Sequence, residues 1–407
     1  MDCGRLPPAM SPPIKLYAHR THYTRAQRAQ LAEILRPFWK DATFTELERQ
    51  AMYGLSATDF HIVDNLAQAD LAVLPMTWNH YLARRQLDRS QQFIAAARQA
   101  QVPVLSYVSG DAGVTVPAGF DDVYIVRASG LRSRRHPRQI AQPIFFADPL
   151  KKYPEFSGPA SQLEVSPPSS GTRQPQPPAP DSQLPSVGFC GQASRNGIKF
   201  GWDLLRGCWR QGLYYLRLRH QEPQPLLPPT WLRARALRLL ASSPQLQTCF
   251  VVRKRYRGGS IDAAARARTS REFYQNLAAT DYTLCVRGGG NFSQRFYETL
   301  ALGRIPVLVD TDCLLPFDSV LNWGELIVRV PQAELASLPQ VVARHFAQHG
   351  PDGLAEIKRR CRQRWEEWLT FAGFHRQLAQ WILQAGPSKF VLDGTSPRVE
   401  QSSQIQA

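Results

Sequence analysis

At 407 residues the chain is longer than one hydrophobic core ordinarily serves, so two domains of ordinary size are expected, and 43% hydrophobic content is enough to build both. No apolar run approaches the roughly 20 residues needed to cross a bilayer, and the first residues lack the apolar centre of a signal peptide, so a membrane-spanning helix is excluded from the expectation. With 49 Lys and Arg against 33 Asp and Glu, the net charge of +16 suits an anionic partner: nucleic acid, an anionic membrane surface or an anionic glycan.

Residues 14–18 open as a short strand, 25–38 carry helical spacing through Leu31, Ile34 and Leu35, and 71–75 are an apolar run. Residues 90–100 read as a helix, and 102–108 as a strand ending in the turn Ser109-Gly110-Asp111-Ala112-Gly113; 123–127 is a further strand. From 157 to 186 Pro, Ser and Gln dominate and large apolar residues nearly vanish, as expected of a disordered linker or insertion without chemistry. Strands follow at 187–190 and 249–252, helices at 199–209 and 269–279. Trp365, Trp368, Phe371, Phe374 and Trp381 recur at roughly helical intervals and read as core packing, and 393–407 reads as a disordered tail. This alternation predicts an α/β chain of parallel sheets with helices on both faces, binding ligands outside the carboxyl ends of its strands. The domains expected are 1–156 and 187–392, with no internal sequence repeat.

The densest pattern runs from Asp281 to Phe317. Residues 282–286 are strand-like, Gly288, Gly289 and Gly290 allow a sharp turn and close approach to a ligand, and Asn291 or Ser293 caps a helix whose free N–H groups favour an anion. Residues 305–309 form an apolar strand ending at Asp310. Arg295 and Glu298 share one helix face, three residues apart. A guanidinium there suits a diphosphate, and a carboxylate one turn on suits two ribose hydroxyls; an exposed ion pair is the plainer alternative.

The segment resembles the signature of exostosin-family glycosyltransferases, through Arg287-Gly288, Ser293-Gln294-Arg295, Glu298-Thr299-Leu300, Leu302-Gly303-Arg304-Ile305-Pro306-Val307, Asp310, Leu315-Pro316-Phe317 and Trp323. Val286-Arg287 stands where the family usually has a proline, and outside this block the resemblance thins. It implies a GT-B architecture, two Rossmann-like domains facing across a cleft, with a nucleotide-diphosphate-sugar donor (a UDP-sugar expected), inverting transfer, no obligate metal and no cofactor. The acceptor expected is a glycan or a lipid-linked molecule, the latter suiting a positive surface, and the setting expected is polysaccharide biosynthesis or protein glycosylation.

Inverting transfer needs a general base, and Asp111, on a turn at the expected sheet edge, is the first candidate; His80 and His136 are alternatives, and a plain Asp turn is the bland reading. Arg253 and Arg195 follow strands and would assist departure of the diphosphate; Lys254, Arg255 and Arg257 carry no assignment. The candidate donor set is Arg195, Arg287, Gly288, Gly289, Gly290, Asn291, Ser293, Arg295 and Glu298, with Asp111 and Arg253 catalytic. Asp310-Thr311-Asp312 is a DxD triplet, read as a strand-end loop rather than a metal site. Seven scattered cysteines without CxxC spacing suggest reduced core thiols, hence a cytoplasmic chain, peripheral at most on an anionic inner membrane face and resembling a bacterial relative. The basic charge falls in clusters along the chain and no nucleic-acid partner is expected; the rival reading is a non-catalytic nucleic-acid- or glycan-binding protein on the same fold.

Overall fold

The computed structural model describes residues 12–385 except 24, 41–42, 159–182, 254–258 and 260–261. Most of the Pro/Ser/Gln-rich stretch, Lys254, Arg255, Arg257 and the 393–407 tail therefore lie outside the described residues.

The first half supplies strands β1 (Ile14–Tyr17), β2 (Phe60–Val63), β3 (Leu71–Val73), β4 (Val104–Val108), β5 (Tyr124–Arg127) and β6 (Gln139–Ala141). They pair in parallel in the order β2-β1-β3-β4-β5-β6. Strands β3, β4 and β5 are buried along their whole length, which is why they read as unbroken apolar runs. Helices α1 (Glu46–Tyr53), α2 (Trp78–Ala83), α3 (Leu87–Gln99) and α4 (Pro149–Lys152) belong to this half. A capping box starts α1: Glu48 N–H donates to Thr45 Oγ1 at 3.3 Å, and Thr45 N–H donates to Glu48 Oε2 at 2.8 Å.

The helix expected at 25–38 is not one. The chain makes 3₁₀ turns at Arg25–Gln30 and Glu33–Leu35, with Gln27 out of helical geometry. Its backbone is claimed by the segment after β3: Thr77 N–H donates to Gln30 O and Ala32 N–H to Pro75 O, both at 2.8 Å. A continuous helix would lose those long-range bonds.

The second half supplies β7 (Ser186–Gln192), β8 (Gln247–Arg253), β9 (Tyr282–Cys285), β10 (Ile305–Asp310) and β11 (Val328–Pro331), parallel in the order β11-β10-β9-β7-β8. Around it lie α5 (Gly197–Tyr215), α6 (Pro229–Ala241), α7 (Ala263–Ala278), α8 (Gln294–Ala301), α9 (Leu338–Arg364) and α10 (Phe371–Ala385). Gly350, at φ 61°, breaks α9 just before Pro351. Both sheets wind alike: the second strand lies on one side of the first, the third on the other, and later strands continue from the third. The fold is thus α/β, with two Rossmann-like parallel sheets facing across a cleft.

The halves are held together along a seam. Arg132 donates to Asp310 Oδ2 at 3.2 Å, and the Ser133 hydroxyl donates to Asp312 Oδ2 at 2.5 Å. Arg362 donates to both Asp148 oxygens, at 2.7 and 2.8 Å. Helix α10 returns to the first sheet, where Trp381 meets the Tyr124 ring at 5.9 Å and Arg376 Nε donates to Asp59 at 2.7 Å. One apolar cluster runs through both sheets and includes Phe317, Trp365, Phe374 and Leu378.

Candidate active site

In the second sheet the winding reverses between β7 and β9, and a parallel sheet leaves an open crevice at the carboxyl ends of such a pair. A cavity of about 600 Å³ lies there. Cys190, Gly191 and Gln192 at the end of β7 contribute one wall, and residues of α7 and α8 line others. Asp111, from the turn after β4, borders the cavity from the first sheet.

Arg295 on α8 lies 4.3 Å from the Phe189 ring centroid and donates to Cys190 O at 2.8 Å, while its Nε has no hydrogen-bond partner among the described residues. A Cβ on Gly191 would stand 2.5 Å from this guanidinium, so glycine is needed for the arginine to lie across the strand end. One turn on, Glu298 is buried and accepts from Gln294 Nε2 at 2.8 Å and from the Tyr274 hydroxyl at 3.4 Å. Arg295 and Glu298 are not paired with each other in these contacts; each has its own partners around one cavity. Ser293, Gly288 and Gly289 line it as well.

Arg253 borders the cavity, but its guanidinium is buried, bonded to Thr269 O at 2.9 Å and ion-paired with Glu272. Arg233 on α6, outside the candidate set read from sequence, lines the same space and donates to Arg287 O at 2.8 Å. Burial, with the charges of Arg295 and Arg287, pushes the Arg233 guanidinium down to about 9. Arg295 and Arg233, neither ion-paired with an acid among the described residues, make the partly closed site favourable for an anion, whereas the Arg253 charge is met by Glu272. Cys190 is no thiolate nucleophile at neutral pH, because burial pushes its thiol up to about 12.

Other candidates are engaged in holding the structure or stand off the cavity. Arg287 is buried and braces the loop before α6, donating to Pro225 O at 2.6 Å and to Leu227 O. Asn291 does not cap α8: its amide donates to Gly130 O, Thr311 O and Asp312 O at 3.0 to 3.2 Å and accepts from the Thr311 hydroxyl at 2.7 Å, pinning the two sheets together. Ser293 holds the N-cap position without a side-chain capping bond. Gly290 is approached by the Asp111 turn: a Cβ there would sit 2.1 Å from Asp111 O. Arg195 is exposed beyond β7 and does not border the cavity. His80, in α2, and His136, 3.5 Å from Asp121, also lie off it.

A second cavity of about 430 Å³ adjoins the first and shares Asp111, Ile144 and Phe292 with it. Glu33 lies there, its carboxyl pushed up by burial despite Arg36 and Gln142. Sequence gave no pointer to Glu33, which sits in a stretch that reads as helix. The carboxylates of the DxD triplet are already engaged, Asp310 by Arg132 and Arg329 and Asp312 by Ser133. No helix among the described residues is long and apolar enough to cross a membrane.

Residues 233–345 match the model of the Exostosin GT47 domain. A protein named Probable glucuronosyltransferase from Oryza sativa subsp. japonica is 36% identical over 70 residues, 17% of this chain and 16% of that protein. The Exostosin-1 homolog of Caenorhabditis elegans is 31% identical over 71 residues, 17% of this chain and 19% of that protein. The matched segment thus spans less than a fifth of these relatives. A solved glycosyltransferase from Rickettsia africae ESF-5 covers 93% of this chain and 100% of its own, at 10% identity and a TM-score of 0.35, a likeness too loose to argue from. Residues 233–345, which include the glycine turn, α8 and the strands beside it, are therefore an exostosin-like segment of this chain.

Proposed function

We propose that this chain is a glycosyltransferase that moves a sugar from a nucleotide-diphosphate donor, a UDP-sugar in the first instance, to a glycan or lipid-linked acceptor. The observation that carries the reading is the position of Asp111, which borders both the arginine-lined cavity and the adjoining cavity of the first sheet. The half to residue 156 would receive the acceptor, and 187–392 would hold the donor. Arg295 and Arg233 meet the diphosphate and Glu298 accepts from the ribose hydroxyls. The acceptor oxygen attacks the anomeric carbon on the face opposite the diphosphate, and its proton passes to Asp111. The bond from that carbon to the diphosphate oxygen breaks, and the electron pair leaves with the nucleoside diphosphate toward the arginines. The transfer is inverting, with arginines rather than a metal stabilising the leaving group.

The test is a thermal-shift panel of UDP, GDP, CDP and ADP on wild type, Arg295→Ala, Glu298→Ala and Asp111→Asn. One nucleotide at ~100-fold over its dissociation constant should stabilise the native state by about 2.7 kcal/mol. That shift should vanish in the Arg295 and Glu298 variants and persist in Asp111→Asn, which should lose transfer. No shift from any nucleotide, with polyanion binding indifferent to Arg295→Ala, would favour a non-catalytic binding protein instead.

A further inference from the structure

Helix α5 has no buried residue along its length. Half of the large apolar side chains exposed among the described residues fall between Ile198 and Leu218. Ile198 is 77% exposed, Trp202 65%, Leu205 62% and Trp209 59%, and three- and four-residue steps place them on one helix face. The opposite face fixes the helix to the molecule. The Phe200 ring packs 5.4 Å from Trp231, Gln211 Nε2 donates to Gln224 O at 2.9 Å, and Tyr214 is bonded to Thr115 at 2.8 Å. The apolar stripe is therefore held outward.

The charge around the stripe indicates what covers it. Lys199, Arg206 and Arg210 line one flank, and Arg219 lies 5.6 Å from the Trp209 ring centroid. The helix has a single acid, Asp203, already paired with Lys199 at 2.5 Å. A second copy of the chain would bring another row of arginines against this one with no acid on the helix to meet it. Tryptophans, aliphatic side chains and arginines on one outward face are the composition of a helix lying in a bilayer interface. The geometry points to α5 as an interfacial anchor that binds anionic lipid bilayers. The helix starts a few residues beyond Gln192, which lines the arginine-rich cavity, so the anchored surface lies close in the chain to the site. Membrane binding stands apart from glycosyl transfer and is tested without it.

The experiment is co-sedimentation of the full chain with vesicles of phosphatidylcholine alone and mixed with phosphatidylglycerol, together with tryptophan quenching by brominated acyl chains. Wild type should bind the mixed vesicles and be quenched. Trp202→Glu with Trp209→Glu should lower the partition coefficient about tenfold or more, with the melting temperature unchanged because both side chains are exposed. Arg206→Glu with Arg210→Glu should remove the preference for anionic lipid. The proposal is overturned if wild type binds neither vesicle, or if the tryptophan variant binds as well as wild type. It is also overturned if light scattering finds a dimer that the tryptophan variant splits, since the stripe would then be a protein interface.

Discussion

Asn291 and Ser293 stand two residues apart, and both types favour helix N-caps, so composition alone does not separate them. Their roles differ because Asn291 lies within reach of carbonyls that arrive from Gly130 and from the loop after β10. Asn291→Ala removes those bonds and should cost about 1–3 kcal/mol in urea unfolding. Ser293→Ala, which breaks no capping bond, should stay within about 0.5 kcal/mol of wild type. The reverse order would return the cap to Ser293. Arg295 and Glu298 were legible because their spacing and the adjoining glycines are local features. Arg233 was not, since its place beside Arg295 depends on how α6 packs across the end of β7.

At the scale of elements, the glycine turn after β9 and the Asp111 turn after β4 are packed against each other, one from each half. The sequence suggested a turn open to a ligand, and Gly288 and Gly289 do line the cavity, but the tight approach at Gly290 is to protein backbone. Gly290→Ala should therefore destabilise by about 1–3 kcal/mol and weaken nucleotide binding as the two turns separate. Gly289→Ala should be milder, because its Cβ would stand 3.4 Å from Asp111 Oδ2. Melting curves with and without nucleotide read both effects. The 25–38 stretch teaches the same lesson: helical spacing was present, but backbone bonds to 75–77 outweighed the local preference.

For the molecule as a whole, α10 is the strap between halves, and it carries a fully buried histidine. His375 Nδ1 is bonded to Phe371 O at 2.8 Å, and Nε2 has no partner among the described residues. Burial, helped by the Arg36 charge and opposed by the Phe371 carbonyl, pushes the imidazole down to about 3. In the unfolded chain it titrates near 6.5. The folded value being the lower one, stability is full above 6.5 and is lost as the pH falls toward 3, by up to about 1.4 kcal/mol per unit from this group. Urea unfolding at about pH 8 and about pH 5 should show that loss, reduced in His375→Gln. An equal loss in the variant would place the effect on other groups. Local pattern determined much here: alternating apolar runs and helices dictate an α/β chain, and the strand, glycine turn and helix between Asp281 and Phe317 carry the family resemblance and the proposed anion site, because each depends only on neighbours in sequence. The common winding of the two sheets, the pairing of Asp111 with the glycine turn and the outward stripe of α5 were decided by tertiary structure alone, since each is a relation between segments far apart in the chain that local spacing does not encode.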